Sequence, residues 1–377
     1  MMFSVLLALA ACAPPQEPIP PKLEAILALS IDPGFDDEWI HTRMEHGLKL
    51  GSIGEAVCGQ RFQVCVLSVG YSTGPKGHVD LHYDVKITRP DGKSYYEKQG
   101  FELCVGDGVA EGNVQLAKQG LGVSFDPPDP RGEYMVTVEI HDGVAHASAS
   151  AKQKISLIEF PETKPFKDAD DMGVWLQEYY RSPTPLRALE AIVTAGDPEL
   201  LGGEEPALGV RMFLRAICAE NTFLEPQLLE RFPKMAHGAR LAALDVIAGT
   251  KYDAKPFLAA ASEEERKAFE ALVKTGNTDP LAGPIQSDAQ LQAIWGVFFA
   301  TGRYAPIERV AKALVLDEKE TEELGGKKAA EEVENLVDWS LGSNLDQERV
   351  REYCEWMLAH DRLDENDAAA LRKLLKP

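Results

Sequence analysis

Tyr134-Met135-Val136-Thr137-Val138-Glu139-Ile140-His141-Asp142-Gly143-Val144-Ala145-His146-Ala147-Ser148-Ala149-Ser150-Ala151 alternates apolar and polar residues on both sides of an Asp-Gly pair. A period of two marks a strand with one buried face, and Asp-Gly suits the two-residue type I′ turn that joins antiparallel strands. With that turn, Ile140 faces Ala145, Val138 faces Ala147, Val136 faces Ala149 and Tyr134 faces Ala151, so large side chains meet small ones. The other face pairs Glu139 with His146 and Thr137 with Ser148, all polar. Both periodicities agree in register, as a specified sheet requires.

Upstream, His78-Val79-Asp80-Leu81-His82-Tyr83-Asp84-Val85-Lys86-Ile87 repeats the pattern. Val79, Leu81, Tyr83, Val85 and Ile87 are expected to face a core, with His78, Asp80, His82, Asp84 and Lys86 in water. Pro90-Asp91-Gly92 then turns the chain into a returning strand over about 93–99. Asp129-Pro130-Arg131-Gly132-Glu133-Tyr134 resembles the turn before the tyrosine corner of immunoglobulin-like and fibronectin-like sandwiches. It has one more residue between Asp and Gly than the common form, and Val136 stands where the second immunoglobulin cysteine would fall. The resemblance implies an antiparallel immunoglobulin-like β-sandwich over 56–160 and implies no activity.

From about Pro161 the texture changes to Ala, Leu, Glu and Lys at helical spacing. Ala195-Gly196-Asp197-Pro198, Thr275-Gly276-Asn277-Thr278-Asp279-Pro280 and Thr301-Gly302-Arg303-Tyr304-Ala305-Pro306 each place Gly where a helix would stop and Pro where the next would start, and Gly249 with Pro256 repeats this over a longer loop. An all-α domain of antiparallel, repeat-like helical hairpins over 161–377 is expected, with no fixed-period textual repeat. Trp295-Gly296-Val297-Phe298-Phe299-Ala300-Thr301-Gly302 is similar to a motif of uncharacterised exported bacterial proteins, and its aromatic residues most simply pack a core.

The N-terminus addresses the compartment. Phe3 to Ala11 is an apolar run too short to span a bilayer, which needs about 20 residues, and it ends in Leu9-Ala10-Ala11-Cys12. Leu-Ala-Ala-Cys resembles the lipobox of bacterial lipoproteins, which implies a signal peptide over 1–12 and acylation of Cys12; no Lys or Arg precedes the apolar run, as the family pattern has it. Residues 13–22, rich in Pro, read as an extended tether, and 23–55 as a partly helical N-terminal extension. The expected location is the bacterial cell envelope, lipid-anchored and facing the periplasm.

Sixty acidic against 39 basic residues give a formal charge of −21, which repels a phosphate backbone and disfavours nucleic acid as a partner. Docking onto anionic lipid headgroups is disfavoured for the same reason, leaving the acyl chain as membrane attachment.

Several local patterns carry chemistry if their context is right. Gly70-Tyr71-Ser72-Thr73-Gly74 has the spacing of a nucleophile elbow, but that device must open a helix, and Pro75-Lys76-Gly77 leads into a strand. His41 and His46 lie five apart, where a zinc-binding helix needs four, and read as surface residues. Gly106-Asp107-Gly108 with Gly112 lacks nucleotide-fingerprint spacing. His78, Asp80, His82 and Asp84 share one strand face at about 7 Å intervals, and are candidate metal ligands set against the simpler reading of a solvated face. Closure of a ligand set is not visible in the sequence, so no metal and no cofactor is expected. Cys58, Cys65, Cys104, Cys218 and Cys354 are odd in number; any of the first three could pair, Cys218 reads as a buried helical thiol, and no Cys-x-x-Cys is present.

The expected function is a non-enzymatic scaffold that recognises another envelope protein. The alternative is a carbohydrate- or small-ligand-binding protein, or a hydrolase, with a cleft between domains.

Overall fold

The computed structural model describes residues 22–42, 51–109, 113–118, 120–197, 208–275 and 279–376. Cys12, the tether up to Pro21, His46, Gly112, Pro198 and Gly276 lie outside the described residues. The chain combines β-sheet with helix. Among the described residues nine strands come first: β1 (Glu24–Ser30), β2 (Glu55–Val57), β3 (Phe62–Val69), β4 (Val79–Thr88), β5 (Ser94–Gly106), β6 (Gln115–Leu116), β7 (Leu121–Val123), β8 (Gly132–Asp142) and β9 (Ala147–Ile158). Helix α1 (Phe35–His41) follows β1.

After Ile158 the described elements are helical: α2 (Ala169–Glu178), α3 (Ala188–Ala195), α4 (Leu208–Glu220), α5 (Glu225–Arg231), α6 (His237–Ala248), α7 (Ala254–Ala260) and α8 (Glu263–Thr275). They continue with α9 (Asp288–Thr301), α10 (Tyr304–Ala311), α11 (Glu318–Glu323), α12 (Lys327–Asn344), α13 (Glu348–Ala359) and α14 (Glu365–Leu374). None of these helices is long and apolar enough to cross a membrane.

One sheet has the order β1-β3-β6, with β7 also paired to β3, and the other has the order β2-β9-β8-β4-β5. The purely antiparallel pairing expected from the sequence does not hold, because β2 runs parallel to β9, with Glu55 opposite Ser156 and Val57 opposite Ile158. Hairpin patterns reveal only neighbours in sequence, and these partners lie about a hundred residues apart.

By contacts the chain falls into two compact units. Of the described residues, the first collects those up to Leu27, within Cys65–Gly120 and within Met135–Gln153; the second collects those within Ala28–Val64, within Leu121–Tyr134 and from Lys154 onward. The divisions fall within β1, β3, β8 and β9.

In the first unit, β4 behaves as its alternation predicts. Val79, Leu81, Tyr83, Val85 and Ile87 are buried, while Asp80, His82, Asp84 and Lys86 reach water. Tyr83 stacks on Phe101 of β5 at 5.0 Å. The Asp142-Gly143 turn departs from expectation, since the connection takes the four residues Gly143–His146 and β9 begins at Ala147. A type I′ turn needs positive φ at both central residues; here Gly143 is outside that region and His146 has φ 53°. Asp142 fixes this longer turn, its Oδ1 accepting the amides of Val144 (2.9 Å) and Ala145 (3.0 Å). The pairings of Ile140 with Ala145 and of Glu139 with His146 are therefore not formed, for Ala145 and His146 belong to the turn.

In the second unit, Tyr134 donates its hydroxyl to the Pro130 carbonyl at 2.8 Å and packs on Phe125, which meets Phe62. Val57 joins the core built by α2, α3, α4 and α6, with Trp175, Ile192, Phe213 and Leu244 among its buried members. A second core gathers Ile294, Phe298, Ile307, Val337, Val350 and Met357 from α9, α10, α12 and α13. Helices α4 and α9 cross with their backbones in close approach, since a Cβ on Gly296 would strike the Gly209 carbonyl oxygen. Gly302 ends α9 in the left-handed region, φ 60°, as the stop signal predicts. Pro306 and Pro256 lie in the first turns of α10 and α7, where the backbone N–H has no intrahelical partner.

Candidate functional site

Two concentrations of ionisable side chains, one in each unit, contain histidines singled out from the sequence. On the first unit's five-stranded sheet, β4 lies between β8 and β5. The register sets His82 directly opposite His141 and Asp84 opposite Glu139 across β4 and β8. His82 Nε2 lies 3.0 Å from Asp80 Oδ1, and His141 Nε2 lies 3.1 Å from Asp84 Oδ2. Asp84 is held in turn by the Gly100 amide, which donates to its Oδ1 at 2.8 Å. These four side chains are between 30% and 42% exposed, so the face is wet but ordered. Asp80 also explains Gly143, whose Cβ would collide with the Asp80 carboxylate.

His78 takes a different course from the other three candidates. It precedes β4 and pairs with Asp107 at 2.7 Å, both side chains well exposed. His141 was hidden from sequence reasoning because the pattern of one hairpin says nothing about which other strand lies beside it. Its signal is its place on the polar face of a strand whose partner face carries His82. Among the described residues no group of three or more His, Cys, Asp or Glu is placed to hold a metal ion.

Ser72 has no catalytic setting. Its backbone amide donates to Asp142 Oδ2 at 2.8 Å, and the 3₁₀ turn Pro75–Gly77 follows where an elbow requires an α-helix. All five described cysteines are free thiols, so no pair forms in the β-region. Burial pushes Cys218 and Cys354 up to about 12, leaving them protonated and unreactive.

The second concentration ties the segment from Asp32 to Thr42 to the helices, all within the second unit. Arg349 of α13 is only 7% exposed and pairs with Asp32 at 3.0 Å and with Glu38. Burial opposes its charge, but the carboxylates of Asp32 and Glu38 outweigh that and hold its pKa above the ordinary arginine value. Burial raises Glu38, with Arg349 working in the opposite direction. Tyr353 donates to the Gly302 carbonyl at 2.8 Å, and the Tyr304 amide donates to Asp37 Oδ2 at 2.9 Å. His41 is not the surface residue its sequence context suggested. Its side chain is 14% exposed, its ring stacks on Tyr304 at 3.9 Å and meets the Trp356 ring nearly perpendicularly at 4.5 Å, and Nδ1 lies 2.8 Å from the Asp37 carbonyl oxygen. An α1 only seven residues long is marginal by itself, so these contacts supply its stability. Removing one partner from such a buried cluster typically costs about 3–5 kcal/mol. This cluster fastens one segment to another, with its charges directed at each other.

Elsewhere in the second unit, a cavity of about 400 Å³ lies beside the starts of α4 and α9, lined by Leu208, Met212, Pro280, Gln290 and Ala293 among others. Among the described residues Asp279 is the single ionisable group in its lining, which gives no acid–base pair. Among the described residues the largest apolar side chain left in water is Trp339 on α12, 68% exposed, whose helix also exposes Glu331, Glu332 and Asp338.

No family model matches the sequence. No curated protein matches it. Among solved structures, a family 123 glycoside hydrolase from Clostridium perfringens aligns with a TM-score of 0.23 and 11% identity, over 39% of this chain and 29% of that one. The sporulation control protein Spo0M from Bacillus subtilis aligns with a TM-score of 0.19 and 12% identity, over 38% of this chain and 51% of that one. The chain thus spans under a third of the first protein and about half of the second. Likenesses this slight assign neither fold nor activity.

Proposed function

We propose that the chain is an exported envelope protein, anchored by acylation at Cys12, that holds a protein partner rather than catalysing a reaction. Its strand region is read as an immunoglobulin-like sandwich, supported by the Tyr134 hydroxyl on the Pro130 carbonyl. Its helical region is read as repeat-like hairpins, supported by contact between the consecutive helices α9 and α10, α11 and α12, and α13 and α14.

Trp339 carries the functional reading. A tryptophan with 68% of its surface in water forgoes a burial that such side chains usually find, and Trp is among the residue types enriched at the energetic anchors of protein interfaces. The acidic residues Glu331, Glu332 and Asp338 on the same helix, in a chain of charge −21, select a partner that presents an apolar pocket with a basic rim.

The test is affinity capture from crosslinked native envelope with a C-terminally tagged chain, compared with Trp339→Ala and Cys12→Ala. The proposal predicts one stoichiometric protein retained by wild type and lost from Trp339→Ala at unchanged thermal stability, with Cys12→Ala released to the soluble fraction. Equal capture by Trp339→Ala refutes the interface. Membrane retention of Cys12→Ala refutes the anchor.

A further inference from the structure

The face of β4 and β8 has a chemical property beyond recognition of a protein. Two imidazoles lie directly opposite each other across the strand pair, where Cβ atoms are about 4.5–5.5 Å apart and two side chains can converge on one point. Each ring is tied through the same nitrogen. His82 Nε2 is on Asp80 and His141 Nε2 is on Asp84, and because a carboxylate accepts and does not donate, each Nε2 carries the proton. In the neutral ring the lone pair is then on Nδ1, and neither Nδ1 hydrogen-bonds to a described residue.

A carboxylate on one ring nitrogen with the other nitrogen free is the arrangement by which proteins orient histidine toward a metal, fixing the tautomer and raising the basicity of the ligand. Here it occurs twice on adjacent strands. We propose that His82 and His141 form a two-imidazole chelate for a divalent transition-metal ion such as zinc, with Asp80 and Asp84 as positioning residues behind them. Zinc takes nitrogen ligands at about 2.0–2.1 Å in a tetrahedral set, and the rings, at 41% and 42% exposure, leave room for water to supply the other two positions. A two-protein-ligand site agrees with the lack, among the described residues, of any three-residue cluster. It is an exchangeable surface site rather than a structural one. His78 is excluded because it precedes β4 and pairs with Asp107.

The experiment is zinc titration of the full chain, purified without a polyhistidine tag, by isothermal calorimetry, with Cu²⁺ electron paramagnetic resonance counting the coordinated nitrogens. The expected result is one ion per chain and two equatorial nitrogens. His82→Ala and His141→Ala should each weaken binding at least tenfold, Asp80→Asn and Asp84→Asn several-fold, and His78→Ala not at all. All five positions are at the surface, and unchanged thermal unfolding confirms that the variants fold. No zinc binding, or binding that survives His82→Ala or His141→Ala, overturns the proposal, as does equal loss in His78→Ala.

Discussion

Two aspartates show how a single carboxylate sets local structure in this chain. Asp142 is 2% exposed and accepts three backbone amides, those of Val144, Ala145 and Ser72. The sequence marks it as a turn residue, but its work is larger, because it also holds the Gly70–Gly74 loop that resembles a nucleophile elbow. Asp142→Ala should therefore cost about 2–4 kcal/mol in urea unfolding, with the Ser72 amide losing its protection from hydrogen exchange. A loss under 1 kcal/mol would mean that water replaces the carboxylate. Asp367 of α14 accepts the Val315 amide at 3.0 Å, yet burial pushes it up to about 6, with the Asp364 and Glu320 carboxylates adding to the rise. Between pH 3.8 and about 6 the folded chain thus binds more protons here than the unfolded one, so this group's contribution to stability falls as pH rises through that window. Asp367→Asn keeps an acceptor for Val315 and removes the charge. It should raise stability near neutral pH by about 1–3 kcal/mol and flatten that part of the stability–pH curve. A variant less stable than wild type at pH 7.5 would show that Asp367 serves as an ion there.

Elements were legible where one face is buried and the other wet. β4 could be read residue by residue for that reason, and the helix stop at Gly302 because a left-handed C-terminus favours glycine. β1 could not, since Glu24-Ala25-Ile26-Leu27-Ala28-Leu29-Ser30 has no alternation and is made of good helix formers; pairing with β3 overrides that local preference. In the segment from Trp295 to Gly302 the sequence shows core packing and the helix stop but gives no reason for Gly296. Its aromatic residues do pack, but Gly296 is there for the close crossing with Gly209, and Gly302 for the left-handed stop on which Tyr353 docks. Two substitutions separate crossing from propensity. Gly173→Ala in α2 has nothing within 4 Å of the new Cβ, so the usual gain of about 0.5–1 kcal/mol should appear. Gly296→Ala should instead lose about 1–3 kcal/mol, because the methyl drives α9 off α4. Thermal melts of the two variants, shifting in opposite directions, check this; a stabilised Gly296→Ala would contradict the close crossing.

For the whole chain, the division into a strand-rich part and a helical part was legible from the change of texture near Pro161, whereas sheet order was not. Placing β2 beside β9 joins residues 55–57 to 156–158, and putting β4 beside β8 is what brings His82 to His141. Long-range pairings follow from how the whole sheet closes, so the candidate histidine pair became visible only with the fold. The exposure of Trp339 is not legible in the sequence for a related reason: Asp338-Trp339-Ser340-Leu341 has the look of an ordinary helical stretch, and only the packing of α12 leaves that ring in water. Charge works at this scale too, since −21 sets long-range attraction toward a basic partner, and such attraction weakens with salt. The measurement that bears most directly on the proposed role is in-cell photocrosslinking, with a benzophenone amino acid replacing Trp339 on α12 in one chain and the exposed Lys267 on α8 in another. The account predicts one discrete higher-mass protein adduct from position 339 and none from position 267. Adducts from both positions alike, or from neither, would contradict a partner-binding surface at Trp339.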